Sequence, residues 1–323
     1  MGIYWLAMDR DTVDYFHRYR DRIEREEIYG ERWLRWAYTT AAGNLLVESI
    51  IKRSWFSMWY GWRMNRRGSA GKVLPFCRKY GIDEFESAIP PKDFTSFNAF
   101  FTRHLEKGRR PIESDPSWAV FPADGRHFAL PRVSASSEFF AKGQHLDLNT
   151  LIADEELASE FRDGTLILSR LCPVDYHRFH FPVDGTPGGV ASVNGPLYSV
   201  NPVALRRNMR FLTENRRMRT VLETENFGKV LLFEVGATCV GRIEQTFAPG
   251  HPVIRGDEKG YFSFGGSAVI TVFQEGRIAL CDDLLKNNAE GREVYAHMGD
   301  RMGRMVAKPE GKQSGGETET RRA

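Results

Sequence analysis

Tyr261-Phe262-Ser263-Phe264-Gly265-Gly266-Ser267-Ala268-Val269-Ile270-Thr271-Val272-Phe273 is an aromatic and β-branched run broken once, by two glycines and a serine. Both flanks read as strand. Paired glycines weaken a strand and mark a bend, or a place where another backbone or a reactant comes close. Taken alone, Gly-Gly-Ser reads as a bulge. Two other segments change its weight: Asp124-Gly125 upstream, and Asp175-Tyr176-His177-Arg178-Phe179-His180 between them. An acid, a histidine and a serine on separate segments are the components of a Ser-His-Asp relay, which is defined by roles and not by sequence order.

The texture of this run extends over the second half of the chain. From Trp118 to Ala307, short β-rich runs such as Thr165–Leu168, Gly189–Val193 and Val230–Val235 are split by Gly, Pro, Asn and Asp. One helical interlude is predicted at Leu148–Phe161. Upstream, the densely charged residues 1–30 read as a helix with a solvated face. Helical character then continues to about Lys107, with Ser96 as the N-cap of Phe97–Arg103. The expectation is an α+β fold in three parts: a helical N-terminal region over 1–115, a β-rich catalytic domain over 116–307 and a disordered tail over 308–323. There is no internal repeat.

Composition narrows the classes. A chain of 323 residues with 41% hydrophobic content can bury a sizeable core, and a net charge of +3 gives no reason to expect nucleic acid as a partner. Cys77, Cys172, Cys239 and Cys281 form no C-x-x-C pair. That argues against a zinc site or a disulfide framework and suits a reducing compartment. Neither a secretory signal nor a spanning helix is expected, because no run of 18 apolar residues occurs.

Six of the seven tryptophans precede residue 63, interleaved with Arg32, Arg35, Lys52, Arg53, Arg63, Arg66 and Arg67. Trp55, Trp59 and Trp62 recur at helical spacing. Aromatic rings beside cations suit a headgroup boundary. They suit helix packing equally, and the pattern alone divides evenly between the two.

Several ordered strings together resemble the phosphatidylserine decarboxylase proenzymes, from roughly Tyr38 to Ala307. They are Ser96-Phe97-Asn98-Ala99-Phe100-Phe101-Thr102-Arg103 with Arg110-Pro111-Ile112; Pro122-Ala123-Asp124-Gly125; Ala141-Lys142-Gly143; and Asp175-Tyr176-His177-Arg178-Phe179-His180, the most specific. Leu197–Asn201 and Val235–Gly241 are similar to two further signatures. The resemblance implies a self-cut between Gly266 and Ser267, performed by Asp124, His180 and Ser267. It also implies a pyruvoyl group made from Ser267, with His177 serving the decarboxylation step. Phosphatidylserine in the membrane would be the substrate, and phosphatidylethanolamine and CO₂ the products. The long and short chains would stay together as a heterodimer, with further dimerisation left open. No metal and no nucleic acid are implied, and the protein would lie peripherally on the cytoplasmic face of a membrane. Ser199 and Asn201 are candidate substrate contacts.

Two alternatives stand beside this reading: the same chemistry on another serine-headed lipid or a free amino acid, and an unprocessed lipid-binding relative. Ala268 is the hint of the latter, since the family commonly has Thr or Ser there. Arg126-His127 is a second departure, with His127 read as a packed or surface histidine. His177 and His180 lie three apart and would face opposite ways in a regular strand. Both reach one site only if Pro173–Tyr176 turns, and a turn is predicted there.

Overall fold

A computed structural model describes residues 13–28, 30–134, 146–205, 207–239, 242–265 and 267–306. Gly266, Ala141-Lys142-Gly143, Val240-Gly241, His145, Trp5 and the tail expected from 308 therefore lie outside the described residues.

Ser267–Phe273 is buried at every position because it runs through the middle of a nine-stranded sheet. From edge to edge the strands are Arg22–Arg25, Asp14–His17, Glu293–Ala296, Gly125–Leu130, Thr165–Leu171, Ser267–Phe273, Gly228–Val235, Arg217–Thr224 and Thr186–Val193. Neighbours are antiparallel except Asp14–His17 beside Glu293–Ala296. Alternate residues face opposite layers, as the strand period requires. Phe128, Leu166, Leu168, Leu231, Phe233, Ala268, Ile270 and Val272 fill one layer, and Ala129, Ile167, Val230, Leu232 and Phe273 the other. A strand buried on both faces needs no polar alternation, which is why Val269–Phe273 is β-branched or aromatic throughout with Thr271 its one polar residue.

Two three-stranded sheets flank it. One holds Ile243–Gln245, Glu258–Phe262 and Arg178–His180; the other holds Ile278–Leu280, Arg301–Met305 and Trp118–Val120. The Gly265–Ser267 region thus carries the chain out of the first small sheet and into the centre of the large one.

The helical region runs from Glu31 to Phe101 in short helices, the longest Ser54–Asn65. Ser96 Oγ accepts from Ala99 N at 3.0 Å, the predicted cap. No helix among the described residues is long and apolar enough to cross a membrane. Trp33, Trp36, Trp55, Trp59 and Trp62 are each more than 40% exposed, so helix packing does not account for these rings.

Two expectations change. Residues 13–28, read as helix, form a hairpin of Asp14–His17 and Arg22–Arg25 on the edge of the large sheet. Its inward residues, Tyr15 and His17, alternate at period two, but the surrounding charge hid that period. Leu148–Phe161 contains two short helices, Leu148–Ile152 and Glu155–Ser159. The first stops where Ala153 turns left-handed (φ +54°), and Asp154 caps the second by accepting from Leu157 N.

Candidate active site

The approach to Ser267 is fixed from the N-terminal side. The Phe264 ring lies 4.9 Å from Phe101, 5.2 Å from Phe97 and 5.6 Å from Tyr60 between ring centroids. Its backbone N–H donates to Asn98 Oδ1 at 2.8 Å. Asn98 is itself braced, since its Nδ2 donates to Asn65 Oδ1. Gly265 then turns at φ +146°, a backbone that side chains rarely adopt. The Ser96–Arg103 string therefore grips the segment that leads to the reactive serine.

Ser267 is fully buried, and its Oγ lies 3.3 Å from Nδ1 of His177. The other ring nitrogen, Nε2, is 2.9 Å from the Cys172 carbonyl. A carbonyl only accepts, so Nε2 carries the proton and Nδ1 offers its lone pair to the Ser267 hydroxyl. Phe101 stacks on the imidazole at 3.8 Å. Burial lowers the His177 pKa to about 3; the Cys172 carbonyl opposes this and the Arg103 charge adds to it. The ring is neutral at physiological pH.

The predicted turn precedes it. Asp175 N donates to the Cys172 carbonyl at 2.9 Å and Asp175 Oδ2 accepts from Cys172 N at 2.7 Å, closing Cys172–Asp175 on itself. His177 follows this turn and His180 ends the Arg178–His180 strand.

His180 and Asp124 lie behind this contact. His180 Nδ1 faces the Gly256 carbonyl at 2.9 Å, which leaves its buried Nε2 as an acceptor without a hydrogen-bond partner. Burial lowers its pKa, against the pull of Gly256, Glu258 and Asp124. Asp124 is buried; its carboxylate accepts from Arg110 Nε at 2.9 Å and from Met298 N at 2.9 Å. Burial pushes its pKa up, but the Arg110 hydrogen bonds and charge outweigh that and hold it below the ordinary carboxylate value. Among the described residues, hydrogen bonds join Ser267 to His177, and none joins His180 to Asp124 or Ser267.

Gly125 keeps Asp124 where it is, because a Cβ there would come within 2.4 Å of the Arg170 carbonyl oxygen. His127 is a packed histidine: it stacks on Phe121, and Nδ1 lies 2.9 Å from Ser169 Oγ. Ala268 faces the apolar layer with Ile270 and Val272, where a hydroxyl would have no use. Its departure from the family pattern therefore leaves the Ser267 side of the strand intact.

A cavity of about 460 Å³ adjoins Phe264 and Gly265. Ser199 and Asn201 line it together with Cys172 and Val174, and Trp33 and Trp59 from the exposed aromatic face line it as well. Reading the sequence assigned no role to Asn98, Phe101, Arg110 or the Cys172 carbonyl. Asn98 and Phe101 lie in the Ser96–Arg103 string and Arg110 begins Arg110-Pro111-Ile112, so position was legible but function was not; a backbone carbonyl has no sequence signal at all.

A buried hydroxyl with an imidazole lone pair aimed at it, following a braced Phe264-Gly265 segment, is the pairing that acyl-transfer chemistry uses. The sequence model of the phosphatidylserine decarboxylase family matches residues 97–304. Phosphatidylserine decarboxylase proenzyme of Fusobacterium nucleatum is 38% identical over 296 residues, covering 92% of this chain and 99% of that protein. The proenzymes of Chlamydia muridarum and Chlamydia pneumoniae are 41% and 42% identical, over 92% and 89% of this chain and 99% and 97% of their own lengths. The chain belongs to the phosphatidylserine decarboxylase family.

Proposed function

We propose that this chain is a proenzyme that cuts itself between Gly266 and Ser267 and then converts phosphatidylserine to phosphatidylethanolamine and CO₂. The observation that carries the reading is Ser267, buried at the start of the central strand with His177 Nδ1 at 3.3 Å, beside a cavity that reaches the exposed aromatic face. Relatives that share nearly their whole length with the chain bear the matching name, which disfavours a free amino acid or a non-catalytic role.

In the cut, Ser267 Oγ loses its proton and attacks the Gly266 carbonyl carbon; the peptide C–N bond breaks as an ester forms. Loss of the Ser267 α-proton expels the Gly266 carboxylate, and hydrolysis of the remaining dehydroalanine releases ammonia. His177 orients the hydroxyl, while His180, backed by Asp124, accepts the proton. Burial opposes a charged form at both rings, an arginine adds to this at each (Arg103 at His177, Arg178 at His180) and Asp124 favours charge at both; Glu258 favours it at His180 alone, which supports this division.

A pyruvoyl carbonyl made from Ser267 supplies an electrophile for the substrate amine and an electron sink as CO₂ leaves. The surroundings suit it: the position is buried, and His177 Nδ1 is an acceptor at hand. Nδ1 is placed to relay a proton to the carbon that has lost CO₂. The environment that lowers the affinity of His177 for protons makes it a ready donor. Ser199 and Asn201 contact the headgroup, and the Trp33/Trp59 rim rests at the lipid boundary on the cytoplasmic face. The two chains remain a heterodimer, because Ser267–Phe273 is hydrogen-bonded on both sides to strands of the long chain.

Purified protein incubated with phosphatidylserine vesicles should release CO₂ and phosphatidylethanolamine in equal amounts, and borohydride treatment should abolish this. Product formation from free serine but not from the lipid would overturn the substrate assignment.

A further inference from the structure

A buried network of charge lies behind the Cys172–Asp175 turn. Arg126 and Arg170 sit directly opposite each other on adjacent strands, an arrangement that repels unless carboxylates intervene. Three do. Arg170 pairs with Glu293 at 2.6 Å and with Glu26 at 2.7 Å. Arg126 Nη1 donates to Asp175 Oδ2 at 2.9 Å, with Glu26 Oε2 at 3.6 Å from its Nε. Glu26 arrives from the N-terminal hairpin and also accepts from Cys172 Sγ at 3.1 Å. All five charged side chains are buried. The rings of Tyr15 and Tyr295 lie 4.8 and 5.3 Å from the Arg126 guanidinium and restrict its plane.

The network ends on the reactive serine. Arg126 holds Asp175 Oδ2, and the same oxygen holds Cys172 N. The Cys172 carbonyl fixes the proton of His177 on Nε2, and Nδ1 is thereby free to face Ser267. We propose that Arg126 is a positioning residue for His177, acting through Asp175 and the Cys172 turn, with Glu26 as the counter-charge that the N-terminal hairpin brings to it. The inference rests on the reading of His177 given above, but its deciding readout, the His177 tautomer, does not depend on activity.

The tautomer of His177 is read by nitrogen–proton correlation NMR on ¹⁵N-histidine-labelled full-length Ser267→Ala protein, which stays uncut. The parent should show His177 protonated on Nε2 alone. Arg126→Gln should shift the Nδ1 and Nε2 signals toward a mixture of tautomers, and Arg126→Lys, which keeps charge but loses the fork, should fall between. In the protein with Ser267 intact, Arg126→Gln should lower kcat about tenfold or more with KM within about twofold. An unchanged His177 tautomer in folded Arg126→Gln or Arg126→Lys protein overturns the proposal. If the parent shows the expected tautomer but the Ser267 protein makes no phosphatidylethanolamine, the functional reading fails while the positioning role stands.

Discussion

Asp124 exists as a buried anion only because Arg110 meets it, and Arg110 in turn bridges to Glu86 at 2.6 Å. Removing one partner of a buried pair strands the other's charge. Arg110→Met should therefore cost about 3–5 kcal/mol, read as a lowered urea midpoint in the uncut Ser267→Ala protein. An unchanged midpoint would show that Asp124 is hydrated or neutral. At the histidines the division of labour is separable: His180→Ala should leave a single uncut chain, whereas His177→Ala should give two chains that do not decarboxylate. The reverse pattern would make His177 the base, as its 3.3 Å contact taken alone would have it. Asp124, His177, His180 and Ser267 were all legible as residue types in short strings. Their pairing was not, because the sequence does not show that Arg110 occupies Asp124 or that a backbone carbonyl sets the His177 tautomer.

The Phe97–Phe101 helix is a short element that sets Phe101 against both Phe264 and His177 and Asn98 against the Phe264 backbone. Phe264→Ala deletes a ring packed against Tyr60, Phe97 and Phe101, and should cost about 3–5 kcal/mol while slowing the self-cut. Its fraction of uncut chain in fresh preparations checks this. The exposed tryptophans of Ser54–Asn65 give the second prediction at this scale. Trp59→Ser with Trp62→Ser should weaken sedimentation with anionic phosphatidylserine vesicles on the order of tenfold or more. Equal binding would assign those rings to another partner. The aromatic spacing of this helix was legible, as was the central strand, whose apolar run is dictated by burial on both faces. The hairpin over Asp14–Arg25 was missed. Its strands are four residues each, too short for alternation to stand out against the charge, and they form because Glu293–Ala296 offers an edge.

Across the molecule, neutral histidines are built into the core. Burial brings both His127 and His177 to about pKa 3, far below the ordinary 6.5. The unfolded chain binds these protons first as pH falls. Stability is therefore full above about pH 6.5 and drains by about 1.4 kcal/mol per pH unit for each histidine, down to about pH 3. Glu26, pushed up by burial but brought to about 2 by Arg170 and Arg126, adds to the loss below about pH 4.5. Urea midpoints of Ser267→Ala protein should fall between pH 7 and 5; a flat profile would mean that these rings reach solvent. The proenzyme's architecture also fixes what processing leaves behind. A cut before Ser267 removes one of the connections between the small sheet and the large one, yet the short chain keeps the central strand between Thr165–Leu171 and Gly228–Val235. The most direct measurement is the intact mass of freshly purified, denatured protein. Two chains are expected, residues 1–266 and residues 267–323, the second lighter by one ammonia than a serine-started peptide. A single chain of full mass, or a short chain still beginning with serine, would contradict this.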